Sequence, residues 1–151
     1  MTKRPLILIT IASCTFIALQ SSFAATIPAG TTLIVRTLET IHSDDSVGKI
    51  FTAQLDHDIV VNGKAVLRAG TKVLGRIEVS LRNARDSRPL TLNLTGVSVN
   101  GRTISIKTVT GFRVENKSMI GARHGGTISV SPFVTRRGIR MEFRLAQPLD
   151  V

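Results

Sequence analysis

The sequence predicts an all-β chain behind a cleavable leader, and three observations carry that prediction. The first two dozen residues have the three parts of a secretory signal. Short runs of Val, Ile, Leu and Thr alternate with polar residues along the remainder. Two Asn-Gly pairs sit between such runs. No stretch holds helical periodicity over three turns. The expected fold is a small β-barrel or barrel-like sandwich after an N-terminal signal peptide, with residues 1–24 as leader and 25–151 as a single β domain.

The leader reads as Lys3-Arg4, an apolar run from Leu6 to Leu19, and Ser22-Phe23-Ala24, whose small residues suit cleavage before Ala25. The apolar run is shorter than the about 20 residues a membrane anchor needs. An alternative route uses Ile11-Ala12-Ser13-Cys14, which matches a bacterial lipobox and would make Cys14 a lipidated N-terminus. Cleavage before Ala25 removes the only cysteine and leaves 127 of the 151 residues, with no transmembrane span in the mature chain. A chain of that size buries a proper core without disulfides.

Composition narrows the functional classes. There is no Trp and no Tyr, and the aromatics are six Phe, so platforms for stacking sugars or bases are scarce and nucleic acid is not an expected partner. Loss of Lys3 and Arg4 takes the net charge from +10 to +8. The charge is uneven. Residues 25–65 hold three bases (Arg36, Lys49, Lys64) against five acids (Glu39, Asp44, Asp45, Asp56, Asp58), whereas residues 66–151 hold fifteen bases against five acids.

Strands are expected at Thr31–Leu38, Ile50–Leu55, Asp58–Val61, Lys64–Leu67, Thr71–Ser80, Leu90–Val99, Thr103–Val109 and Gly138–Ala146; most alternate apolar with polar residues, and Leu90–Leu94 and Ile104–Lys107 do so best, with one buried face. Asn62-Gly63 and Asn100-Gly101 fall between strand-like runs and tolerate the positive φ of a type I′ hairpin. An internal repeat orders the remainder: Ile27-Pro28-Ala29-Gly30-Thr31 followed by Leu33, Val35 and Arg36 recurs as Leu67-Arg68-Ala69-Gly70-Thr71 followed by Val73, Gly75 and Arg76. A degraded third copy keeps Gly138, Met141 and Arg144. Its physical content is a glycine turn, with Gly30 and Gly70 supplying φ > 0, that leads into an extended run ending on a solvated base. Such repeats suit a small barrel.

Together Ile27-Pro28-Ala29-Gly30-Thr31, His42-Ser43-Asp44, Gly48, Ala53-Gln54-Leu55, Leu67, Gly70-Thr71-Lys72, Gly75 and Arg85 follow an order that resembles the periplasmic β-barrel of conjugation and type IV secretion core proteins (TrbI-like), over roughly Ile27 to Lys107. The resemblance implies a barrel that, in the family, assembles into a ring beneath the outer membrane and sends a helical hairpin across it. This chain has no apolar helical hairpin after Lys107 and no long proline-rich arm with an inner-membrane helix. What the resemblance implies here is the barrel as a stand-alone exported domain.

Catalytic constellations are thin. His42, Asp44, Asp45, Asp56, His57 and Asp58 are the one cluster in which imidazole and carboxylate groups could meet. A zinc ion needs three or four such groups converging at about 2.0–2.2 Å. On a strand, Asp56 and Asp58 point to one face and His57 to the other, so the tripeptide cannot supply three ligands to one ion unless it bends, and the expectation is an acidic strand edge and no metal. There is no Gly-x-Ser-x-Gly elbow. Gly121-Ala122-Arg123-His124-Gly125-Gly126 precedes strand-like Thr127–Val130, not a helix, so it reads as a loop and not a phosphate cradle.

The candidate site is basic. Arg82, Arg85 and Arg88 lie at a spacing of three in a polar segment that ends at Pro89, between two strands, and Arg136-Arg137 with Arg140 form a second run. Arginine presents a planar fork of donors to phosphate or carboxylate. The functional expectation is an exported, non-catalytic envelope protein in the periplasm or beyond: a structural or interaction module, accessory to a secretion or surface assembly, with an envelope protein partner. Oligomerisation is compatible with that role. A second reading is an anion-binding protein whose arginine loop takes lipopolysaccharide, anionic lipid or polymer. A third is an envelope-polymer hydrolase. No cofactor is expected. Intact mass of protein from its native host should begin at Ala25 and carry no lipid; a diacyl or triacyl adduct on Cys14 would instead make it a tethered lipoprotein.

Overall fold

Alternation decides the architecture. In Thr32–Thr37, Ile50–Leu55, Lys72–Val79 and Arg140–Arg144 every second side chain is buried, so each strand offers one apolar face to a shared interior. The computed structural model describes residues 25–80, 90–114 and 134–151, and among these there is no helix. In chain order the strands are β1 (Thr26–Ile27), β2 (Thr32–Thr37), β3 (Ile41–His42), β4 (Ile50–Leu55), β5 (Ile59–Val61), β6 (Lys64–Leu67), β7 (Lys72–Val79), β8 (Thr91–Val99), β9 (Arg102–Ser105), β10 (Phe112–Arg113), β11 (Val134–Thr135), β12 (Arg140–Arg144) and β13 (Leu149–Asp150).

One antiparallel sheet dominates, in the order β10-β8-β7-β4-β2-β12, with β9 also on β8. It curls. Register shifts between Leu74 and Gly75 and between Ile77 and Val79 place bulges in the β7–β8 ladder, and bulges increase local twist. β9 and β10 both pair with the outer edge of β8, and the chain between them leaves that edge to meet the end of β12. There Thr108 bridges Leu145, the Val109 N–H donates to Arg144 O (2.8 Å), and the Ala146 N–H donates to Lys107 O (2.8 Å). The rings of Phe112 and Phe143 lie 6.2 Å apart beside this seam. A curled sheet joined edge to edge in this way is a barrel-like all-β sandwich. The ribbons β1–β13, β3–β11 and β5–β6 lie outside the main sheet.

Four strands begin the same way. Gly30, Gly48, Gly70 and Gly138 have φ between +84° and +90°, a backbone bend that L side chains rarely adopt. Each of these N–H groups donates at 2.8 Å to a carbonyl at or near the end of a neighbouring strand: Gly30 to Leu145, Gly138 to Thr37, Gly70 to Leu55 and Gly48 to Ile77. The return bonds also form, from the Leu145, Thr37, Leu55 and Ile77 N–H groups to Thr31, Ile139, Thr71 and Lys49. In both full repeats the threonine hydroxyl closes the turn, Thr31 Oγ1 donating to Pro28 O (2.7 Å) and Thr71 Oγ1 to Arg68 O (2.6 Å). The hairpin turns have Asn62 at φ 51° and Gly63 at 76°, and Asn100 at 49° and Gly101 at 77°.

The interior is a single cluster built mainly from Leu33, Val35, Phe51, Leu55, Ile77, Leu94, Met141 and Phe143. Phe51 pairs with Gly75 across β4 and β7, and a Cβ on Gly75 would stand 2.1 Å from the Phe51 ring. Two expectations change. The strand anticipated from Thr103 to Val109 ends at Ser105, because its last residues turn to the seam. Asp56–Asp58 form a bend between β4 and β5, not part of a strand.

Two substitutions separate backbone conformation from packing. Gly70→Val should lower stability by about 1–3 kcal/mol through its left-handed φ, with open space around the new side chain. Gly75→Ala should cost about 1–3 kcal/mol through overpacking against Phe51. Both are read by denaturant titration, and Phe51→Leu should rescue only the second.

Candidate functional site

Cross-strand register builds the most distinctive polar feature. Arg140 on β12 lies opposite Arg36 on β2, Arg36 opposite Gln54 on β4, and Gln54 opposite Lys72 on β7. All four alternate with buried residues and face outward, so they form one row across four strands. Like charges directly opposite in an antiparallel pair are destabilising, and the Arg36–Arg140 pair therefore needs an anion.

Asp56 supplies it. Its carboxylate, 11% exposed, accepts hydrogen bonds from Arg36 Nε and, at 3.4 Å, from a terminal guanidinium nitrogen of the same residue. Arg140 Nε stands 3.6 Å away and His57 Nδ1 3.4 Å away. The bend at Asp56–Asp58 makes this possible by ending β4 and returning the carboxylate to the row, while the Asp56 N–H donates to Ile34 O. The hydrogen bond from Arg36, with the positive charges of Arg36, His57 and Arg140, outweighs desolvation and holds the Asp56 carboxyl below the usual carboxylate range. The same bond makes Arg36 hold its proton more tightly. One carboxylate thus serves two arginines, and with Lys72 the row keeps an excess of two positive charges.

Three further acids hold backbone. Asp45 accepts from the His42 N–H (2.9 Å) and from Lys49 Nζ (2.8 Å), which close the turn after β3. Burial pushes its carboxyl up, but those hydrogen bonds and the nearby positive charges bring it below its ordinary value. Asp58 accepts from the Ala69 N–H at 2.7 Å, and Glu39 accepts from the Thr52 N–H. Asp56 and His57 touch, but the six residues of the acid and histidine cluster do not converge on one point, and no group of three or more potential ligands is placed for a metal ion among the described residues.

Of the basic residues singled out in the sequence, Arg82, Arg85 and Arg88 lie outside the described residues, as do His124 and the leader. Arg136, Arg137 and Arg140 are exposed; the Arg136 carbonyl accepts a bond from Thr37 Oγ1 (3.3 Å), and only Arg140 reaches the row. Arg36 and Lys72 are functional candidates that the sequence did not disclose as a pair, since only strand order brings them to one line. A cleft of about 170 Å³ at the seam, between Ser105, Lys107, Leu145 and Gln147, is smaller than the roughly 300–1,000 Å³ of typical ligand pockets.

Comparison of the chain with protein-family models and with curated proteins gives no match.

The depressed Asp56 carboxyl has a definite pH consequence. A group whose folded pKa lies below its unfolded value of about 3.9 stabilises the fold fully above that value, and the contribution disappears as pH falls through the folded value. The melting temperature should therefore drop on acidification from pH 5 to pH 2. Arg36→Gln should make that drop shallower, as measured by thermal melts across the range.

Proposed function

We propose that this protein is an exported, non-catalytic interaction module of the bacterial cell envelope, a stand-alone relative of the barrel in conjugation and type IV secretion core proteins. The observation that carries this reading is the division of labour among its charged groups. Asp45, Asp56, Asp58 and Glu39 are engaged in bonds that hold turns, strand ends and a cation pair, while bases stand outward on a rigid sheet. Nucleophilic or acid–base chemistry needs a base and an orienting partner converging on a reacting atom. Here His57 is exposed beside a carboxylate already bound to Arg36. Binding needs only a fixed surface, which an antiparallel barrel supplies.

Export rests on Lys3-Arg4, the apolar run to Leu19 and Ser22-Phe23-Ala24. Kinship with the secretion barrels rests on the Ile27–Thr31 and Leu67–Thr71 motifs, and both motifs fold into the same glycine turn. The role follows from these two supports: the domain holds an envelope partner, protein or anionic, at the periplasmic side.

Two measurements test it. Osmotic-shock fractionation should place the processed chain in the periplasm. A photo-cross-linker introduced at exposed Val60 or Val109 should trap a discrete adduct in living cells. Retention in the cytoplasm, or turnover of an envelope polymer abolished by His57→Ala, would overturn the reading.

A further inference from the structure

We propose that the outward row Arg140–Arg36–Gln54–Lys72 is a binding track for a linear, phosphate-bearing polyanion laid across the strands. It rests on the register of the sheet and not on the assembly role argued above, so either can fail alone.

The row breaks a rule of sheet design. An acid opposite Arg36 would give a cross-strand ion pair, yet position 140 is a second arginine and position 54 a neutral amide. The acid that contacts the arginine pair, Asp56, sits off the row and is already hydrogen-bonded to Arg36. Arg140 approaches it only at 3.6 Å, and Lys72 makes no side-chain hydrogen bond or ion pair among the described residues. Donors therefore outnumber acceptors along the whole line, and an anion completes it.

Spacing selects the ligand. Arg140 and Lys72 are three inter-strand steps apart, about 14 Å at about 4.8 Å per step. A single phosphate spans one step, so only a ligand with repeating charges engages both ends. Shape selects it further. Adjacent strands rotate by roughly 20–25°, so the row turns through roughly 60–75° along its length. A flexible chain follows that path, whereas a plane of lipid headgroups meets it over a short arc. The chain has neither Trp nor Tyr to seat at a membrane interface. Arginine forks favour phosphate oxygens, and contact with a polymer backbone requires no aromatic platform.

The test uses the mature protein and long-chain inorganic polyphosphate, with orthophosphate, poly-glutamate and anionic phospholipid vesicles as comparison probes. Arg140→Gln with Lys72→Gln should weaken polyphosphate binding about tenfold or more, and should flatten the dependence of log affinity on log salt by about 0.7–0.9 for each lost contact. Arg102→Gln with Lys107→Gln, an equal change in net charge on and just beyond β9, should leave affinity within about twofold. Asp56→Asn should tighten binding by freeing Arg36, with thermal melts reporting that the variant remains folded. Equal losses in the two double variants would reduce the row to general basicity and overturn the proposal. So would orthophosphate binding as tightly as polyphosphate, poly-glutamate binding more tightly, or vesicles competing better than the polymer with the same dependence on Arg140 and Lys72.

Discussion

The barrel-like sandwich depends on a backbone bend repeated at four strand starts. Wherever Gly30, Gly48, Gly70 or Gly138 turns the chain, the next residues exchange a pair of bonds with the end of an adjacent strand. The exchange is reciprocal. The lead-in to β2 grips the end of β12 while the lead-in to β12 grips the end of β2, and β4 and β7 are related in the same way. Each of these two antiparallel pairs is therefore pinned at both ends, leaving little freedom for register slip. A slip of β12 by one residue against β2 would turn Met141 and Phe143 outward together, so the pins and the core specify the same alignment.

That alignment governs the surface as much as the interior. With Met141 and Phe143 committed to the core, Arg140, Glu142 and Arg144 must face out, and the pairing of Met141 with Val35 sets Arg140 against Arg36. Nothing in the core requires arginine at either position, only that the side chain point to solvent. The cation pair is a choice made on a face that packing leaves free. Asp56 makes the choice tolerable, and it does so from the bend after β4 and not from within the ladder.

Local signals in the sequence were the legible ones. Period-two alternation locates β2, β4, β7, β8 and β12, since five or more residues suffice to show which face is buried, while β5, β6 and β9, of three or four residues, are marked by apolar and Thr content beside the Asn-Gly turns. Asn-Gly announced both hairpins, because the turn requires two adjacent positive φ values. The two-residue strands β1, β3, β10, β11 and β13 left no trace. Two residues have no period, and pairs such as Thr26 with Asp150 join opposite ends of the chain. Gly48 enters the sequence reading only within the family resemblance and not as a strand-entry turn, because Ser46-Val47-Gly48-Lys49 lacks the Ala-Gly-Thr frame of the repeats yet folds to the same end. The acid-rich Asp56-His57-Asp58 was read on a strand's alternating geometry, but a bend there sends Asp56 to Arg36 and Asp58 to the Ala69 N–H. Of the basic residues, Arg140 was legible as a member of a run, while its pairing with Arg36 is a property of strand order alone.

The glycine pins and the arginine row are also mechanically linked. Gly138 stands two residues before Arg140, and its bond to Thr37 fixes the start of β12 against the end of β2, one residue beyond Arg36. The guanidinium groups thus project from backbone that cannot shear at the point where their mutual repulsion acts. Repulsion between exposed like charges is weak and screened over about 8–10 Å, whereas losing the paired backbone bonds and the burial of Met141 would cost more. The fold therefore carries a concentrated line of positive charge without rearranging to relieve it. Because the backbone beneath the line is already fixed, an anion that settled on it would order side chains alone.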